Sequence, residues 1–197
     1  MEIRPRLAAC LAALAACLAA GSASAGGHVA AQVGGFVPWN GDAGFMTSVQ
    51  ILGSNASGRS RWGGEFEYRE FESKISGVQG VDVDAYLLRG MWQYHFQPDA
   101  AWTPYLGLGL ALAIHAVDDD KVDAAKGENA RDPVGAGLDG TFLLGLAARI
   151  PGAEYVSVFA EGRLGLAFDA AGRGGNSGVT VEDVGGASGS AGLRFSF

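Results

Sequence analysis

Cysteine is confined to the first seventeen positions, at Cys10 and Cys17. The rest of the chain therefore holds no disulfide, no thiolate metal site and no cysteine nucleophile. Histidine is nearly as scarce, with His28, His95 and His115 the whole supply, so imidazole chemistry has only three places to sit. Basic residues are in the minority. Without Glu2, Arg4 and Arg6, the fourteen basic and twenty-one acidic residues fall to twelve and twenty, a formal charge of −8, which argues against nucleic acid as a partner. Beyond the N-terminal leader no apolar run reaches the ~20 residues of a membrane-spanning helix. The densest, Tyr105 to Val117, is broken by Gly107 and Gly109.

Glycine is abundant, at 32 of 197 residues, and apolar residues are scattered singly. That composition suits a tightly curved, closed sheet better than a soluble α/β enzyme. Residues 1–25 read as a signal peptide: Arg4 and Arg6, a Leu/Ala core from Leu7 to Ala20, then Ala23-Ser24-Ala25 before Gly26. The core is too short to span a bilayer. Cleavage after Ala25 leaves residues 26–197 as one domain. Leu14-Ala15-Ala16-Cys17 also matches a lipoprotein cleavage box, so a lipidated Cys17 stands as the alternative.

What recurs is period-two alternation in stretches of about ten residues, the length of a tilted strand crossing a bilayer. Eight such stretches are expected: 28–37, 43–52, 61–72, 84–96, 103–117, 138–150, 155–169 and 187–197. The third is the clearest, setting Trp62, Phe66 and Tyr68 against Glu65, Glu67 and Arg69; as a helix it would surround its axis with charge. In lipid every backbone polar group needs a partner within the protein, so strands cross only as a closed barrel. The predicted fold is all-β, an eight-stranded antiparallel up-and-down transmembrane β-barrel, narrow enough for side chains to fill its interior.

An even strand count puts both chain ends on one side, so a periplasmic C-terminus puts the N-terminus in the periplasm too. Outer connections are then expected at 38–42, 73–83, 118–137 and 170–186, and inner ones at 53–60, 97–102 and 151–154, with the longer ones mostly outside. Trp62, Tyr94, Phe96 and Trp102, with Tyr105, Phe195 and Phe197, fall near one rim, and Tyr86 and Phe168 near the other, as interfacial aromatic girdles require. The inward set contains Glu65, Glu67, Asp139 and Glu161 with Arg69, Arg89, Arg149, Arg163 and Arg194. Unpaired charges in so narrow a space would be costly, and carboxylate–guanidinium pairing resolves that cost. These nine residues are expected to form a structural charge network that closes the lumen.

No catalytic, cofactor or metal residue is predicted, and the protein reads as a non-enzyme. His28 and His95 fall near the periplasmic rim. His115 lies at the outer end of its strand beside Asp118-Asp119-Asp120 and is expected to be a solvated rim histidine. The acidic run with Asp123, Glu128 and Asp132 lacks the spaced ligands and mid-loop glycine of a calcium hand. Gly172 to Gly178 lacks the Lys-Ser/Thr of a phosphate loop and reads as a mobile surface loop.

Two segments carry a family resemblance. Trp102-Thr103-Pro104-Tyr105-Leu106-Gly107-Leu108-Gly109 is similar to the opening of the fifth strand, and Gly192 to Phe197 resembles the aromatic-terminated last strand, of the small outer-membrane barrels grouped with opacity proteins and the transmembrane domain of outer-membrane protein A. The resemblance implies residence in the cell outer membrane, contact with outer-membrane lipid and lipopolysaccharide, and delivery by the barrel-assembly machinery through a signal at Leu193, Phe195 and Phe197. It further implies a structural or surface-interaction role through the outer loops. The alternative is a conduit for small hydrophobic molecules like the outer-membrane protein W type, lined by Leu87, Met91, Leu143, Phe71 and Phe159. A lipid A-modifying enzyme is a third reading, although the His-x-Ser-Asn signature of that deacylase family is absent around His115.

Overall fold

The computed structural model of the protein describes residues 26–75, 78–117, 134–168 and 185–197. The leader with Cys17, the acidic run from Asp118 to Asp132 and the glycine-rich segment from Gly172 to Gly178 lie outside these residues. Eight strands follow one another: β1 (Gly27–Pro38), β2 (Gly41–Ser54), β3 (Ser60–Ile75), β4 (Val78–His95), β5 (Trp102–Val117), β6 (Val134–Ile150), β7 (Ala153–Phe168) and β8 (Gly186–Ser196). Each pairs antiparallel with its sequence neighbours, and β8 returns to pair with β1, closing the barrel. All eight expected strands are present.

Closure leaves the sheet no free edge. The seam runs from His28 opposite Ser196 to Pro38 opposite Gly186. The end of the barrel carrying Gly27 and Ser196 is called here the terminal end, and the opposite one the loop end. Terminal-end connections are short: residues 55–59, 96–101 and 151–152. In the last, Gly152 has φ 82° after Pro151, the pairing of a proline with a left-handed glycine that a type II turn requires. At the loop end 16 residues separate β5 from β6 and 17 separate β7 from β8.

The expected outer connection at 73–83 is replaced by strand. β3 continues to Ile75 and β4 begins at Val78. The reason is visible in Val81-Asp82-Val83-Asp84, where Val81 and Val83 are buried and Asp82 and Asp84 face outward. The alternation continues through residues whose charge suggested a loop. Charge on the outer face is compatible with a strand that keeps its inner face apolar.

The interior is layered. Toward the loop end Phe36, Met46, Phe71, Val83 and Leu87 belong to one buried apolar cluster, with Phe36 and Phe71 meeting edge to face at 5.0 Å between centroids. Toward the terminal end Leu52, Met91, Tyr105, Leu143 and Phe159 belong to a second. The charged residues occupy the level between them.

Candidate functional site

The middle layer is built by strand register. Glu65 on β3 sits directly opposite Arg89 on β4, so an acid and a base of matching reach face each other by construction. Arg89 Nη1 donates to Glu65 Oε2 at 2.5 Å and to Glu67 Oε2 at 2.6 Å, and its Nη2 donates to Asp139 Oδ1 at 3.2 Å. From β7, Arg163 Nη2 donates to Glu65 Oε1 at 2.6 Å and Nη1 to Glu67 Oε2 at 2.6 Å, while Nε donates to Glu161 Oε1 at 2.6 Å. Arg69 Nε donates to Glu67 Oε1, and Arg69 Nη1 lies 3.6 Å from Asp139 Oδ2.

Neutral donors complete the acceptors. Glu65 Oε1 also receives Ser48 Oγ at 2.6 Å and Gln32 Nε2 at 2.9 Å, and Asp139 Oδ1 receives Thr141 Oγ1 at 2.6 Å. Ser190 Oγ donates to Gln32 Oε1 at 2.9 Å. Every strand thus contributes a hydrogen-bonding side chain, β5 through Tyr105, whose hydroxyl reaches Glu161. β5 also contributes room: a Cβ placed on Gly109 would lie 2.5 Å from Arg89 Cδ, so the glycine lets the Arg89 stem pass. Seven side chains, Glu65, Glu67, Arg69, Arg89, Asp139, Glu161 and Arg163, are drawn into one buried network.

Two arginines expected in that network stand elsewhere. Arg149 has its side chain 45% exposed at the terminal end, 3.6 Å from Asp99 and donating to Pro98 O at 2.5 Å. The ladder shifts register between Arg149 and Ile150, and the inward alternation ends there. Arg194 is buried, at 1% exposure, but its guanidinium lies over the rings of Phe159 and Tyr105 at 4.8 and 5.2 Å. Tyr105 stands between it and the acids, donating to Glu161 Oε2 at 3.0 Å.

Tyr105, expected among the rim aromatics, points inward at 1% exposure, on the same face as Gly107 and Gly109, and stacks on His95 at 4.7 Å. A Cβ on Gly145 would come within 2.2 Å of Tyr105 Cζ, so Gly145 makes the space this ring occupies. His115 is buried, at 4%, where a solvated rim histidine was expected. It stands between Ala85 and Gly135 in the ladder.

The exterior has the opposite character. Leu88, Leu110, Leu144, Leu164 and Leu166 are 53–65% exposed, an apolar belt far larger than a water-facing monomer carries. Toward the terminal end the belt meets Trp62, Trp102, Tyr155 and Phe96, all outward, with Tyr94 between Trp92 and Phe96 at 6.3 and 5.3 Å. Toward the loop end it gives way to carboxylates: Glu70 opposite Asp84 and Glu72 opposite Asp82. Leu193, Phe195 and Phe197 line the outer face of β8, and the Phe197 ring covers Gly27, whose added Cβ would meet it at 2.4 Å.

No protein-family model matches the sequence, and no curated protein is recognisably similar to it. Solved structures are similar in fold. Neisserial surface protein A superposes with a TM-score of 0.57 at 18% identity, over 87% of this chain and 96% of that one. The outer membrane protein OprG from Pseudomonas aeruginosa gives 0.56 at 15% identity, over 88% and 96%. The N-terminal β-barrel domain of Pseudomonas aeruginosa OprF gives 0.50 at 13% identity, over 86% and 97%. The fold of this chain is that of the small eight-stranded outer-membrane barrels.

Proposed function

We propose that this protein spans the outer membrane of a Gram-negative cell as a closed barrel, reaches it through a cleaved leader, and acts structurally or by surface interaction through its loop end. The observation that carries the reading is the inversion of polarity: leucines exposed around the outside and ion pairs buried at the centre. In water the leucine belt would drive aggregation. In lipid it is the required surface, and the terminal-end aromatics then sit at headgroup level with the short turns in the periplasm. The charge layer makes the lumen a plug, because an ion would have to displace guanidinium–carboxylate bonds made on several sides.

Packing bears on the conduit reading. Phe71 and Leu87 belong to the loop-end cluster, while Met91, Leu143 and Phe159 belong to the other. The network lies between the two sets, so they stand in two separate layers. The non-enzymatic reading draws on His115 being buried in the ladder, away from the solvated position a lipid-facing triad needs.

The test is expression of the whole gene followed by membrane fractionation, a heat-modifiability gel and quenching of Trp62, Trp92 and Trp102 by brominated lipids in vesicles. Outer-membrane recovery, a heat-shifted band and strong quenching are expected. A soluble folded product would overturn the reading. Lipid A mass spectra from cells with and without the protein should carry the same acyl pattern, and a changed pattern would replace the non-enzymatic role with an acyl-transfer one.

A further inference from the structure

Below the second apolar cluster, at the terminal end, the lumen opens into a cavity of about 210 Å³ whose wall includes His28, Arg61, His95, Arg149 and Arg194. Its buried charge is of one sign, and part of its guanidinium donor capacity is unmet. Arg194 is 1% exposed, yet its Nε and Nη1 have no hydrogen-bond partner among the described residues. Its Nη2 reaches Gln93 Oε1 at 3.5 Å. Arg61 Nε is likewise buried and unpartnered.

The two histidines are each engaged through one ring nitrogen. His28 engages Ser196 Oγ through Nδ1 at 2.9 Å and His95 engages Gln93 Oε1 through Nε2 at 3.2 Å, and in each ring the other nitrogen is buried without a partner. The carboxylates of the cavity, Asp99 and Glu154, are exposed at its mouth, and the Asp99 side chain is 99% exposed beside Arg149. They do not reach the inner guanidiniums. The central network has no acceptor to lend, since its four carboxylates are engaged by its own three arginines and Tyr105 lies between.

A buried guanidinium without an acceptor is expensive, and the aromatic faces beside Arg194 offset only part of that penalty. An anion offsets the rest. We propose that this terminal-end cavity binds a small phosphate-type oxyanion, held by Arg61 and Arg194 with Arg149 at the entrance. Guanidinium forks match the oxygens of a tetrahedral oxyanion in a way that suits phosphate over chloride. The volume admits such an ion together with a few waters, as it corresponds to about seven waters in all, and leaves no room for a nucleotide. The turns at 55–59 and 96–101 contribute Gly58, Pro98 and Asp99 to the wall, so entry is from solvent at that end. The phosphate can come from free ion or from the monoester headgroup of a periplasmic-leaflet lipid.

The test uses the full-length refolded barrel in detergent, with its unfolding midpoint followed while inorganic phosphate is titrated against chloride of equal ionic strength. Wild-type protein should show a saturable upward shift with phosphate alone. Arg61→Gln, at a half-buried position that a neutral side chain tolerates, should weaken the apparent affinity roughly tenfold or more. Arg194→Lys keeps the charge, loses the fork, and should weaken it as well. Arg59→Gln, exposed on the same end but outside the cavity wall, should titrate like wild type. If Arg194→Lys shows no heat-modifiable band, Arg61→Gln decides alone.

A second arm replaces the ion with vesicles containing phosphatidic acid. A response to the vesicles without one to inorganic phosphate assigns the site to a lipid headgroup, and the reverse assigns it to free ion. No saturable response in either arm, or an undiminished response in Arg61→Gln, overturns the proposal.

Discussion

Arg89 and Glu65 are cross-strand partners whose side chains meet at 2.5 Å with both fully shielded from solvent. The same guanidinium also serves Glu67 and Asp139, so one residue satisfies three acids from two strands. Arg89→Ala should therefore destabilise the barrel by about 3–5 kcal/mol, the penalty for leaving buried charge uncompensated. Arg89→Lys should recover little, since one ammonium cannot span three acceptors in the same geometry. Urea unfolding of the refolded barrel, followed by the heat-modifiable band, measures both. An unchanged midpoint for Arg89→Ala would show that the network adds nothing to stability.

The close approach of Tyr105 to the β6 backbone predicts a second effect. Gly145→Ala places a methyl within 2.2 Å of Tyr105 Cζ, and the ring cannot retreat without leaving His95 and Glu161. Overpacking of this kind costs about 1–3 kcal/mol. Gly162→Ala, on the outward face of β7 where an added Cβ meets nothing, should lie near wild type in the same unfolding assay.

On the outer face, Glu70 opposes Asp84 in the ladder, and Tyr68 OH donates to Asp84 at 2.7 Å with Glu70 Oε2 3.3 Å away. Like charges directly opposite are destabilising. Glu70→Gln should raise stability by a few tenths of a kcal/mol, up to about 1, and the gain should shrink in high salt as screening removes the repulsion. A salt-independent gain would point to packing instead.

The membrane reading predicts a depth-dependent response at Leu110, 59% exposed on β5. Leu110→Arg near the bilayer centre should cost about 2–4 kcal/mol in vesicles. In detergent micelles, where the head can reach water, it should cost less. Equal penalties in both would argue against a mid-bilayer position.

Phe197 rests on Gly27 at the β1–β8 seam, and the family resemblance assigns it to the assembly signal. Phe197→Asp should leave export to the periplasm intact and lower the outer-membrane level of the protein, read by fractionation. Wild-type levels in the outer membrane would remove Phe197 from that role.

Strand identity and face were legible because a barrel imposes one rule throughout: residues inside, outside, inside. Glu65, Glu67 and Arg69 alternating with Trp62, Phe66 and Tyr68 admit one solution, and the structure has it. What alternation does not encode is height along the barrel axis. Arg149 sits at a strand end, where a basic residue suits a turn as well as the lumen, whereas Tyr105, on the inward parity of Gly107 and Gly109, is drawn inside although its height also suits a rim aromatic. Register decides, and register depends on pairings with strands far off in sequence. The neighbours of Arg194 were hidden for the same reason, since Phe159, Tyr105 and Gln93 come from three other strands. The β3–β4 hairpin was underestimated because Asp82 and Asp84 suggested a loop, although Val81 and Val83 carried the strand period through them.

Seven of the eight pairings join strands that are adjacent in sequence, and each can form as a hairpin soon after its segment is made. The eighth, between His28 and Ser196, joins positions 168 residues apart. Until β8 arrives, β1 exposes an unpaired edge beside an apolar face, which is the most association-prone surface a sheet can offer. The slow step in making this molecule is therefore loop closure across the whole domain, and the time it must be escorted is set by the last strand to be delivered.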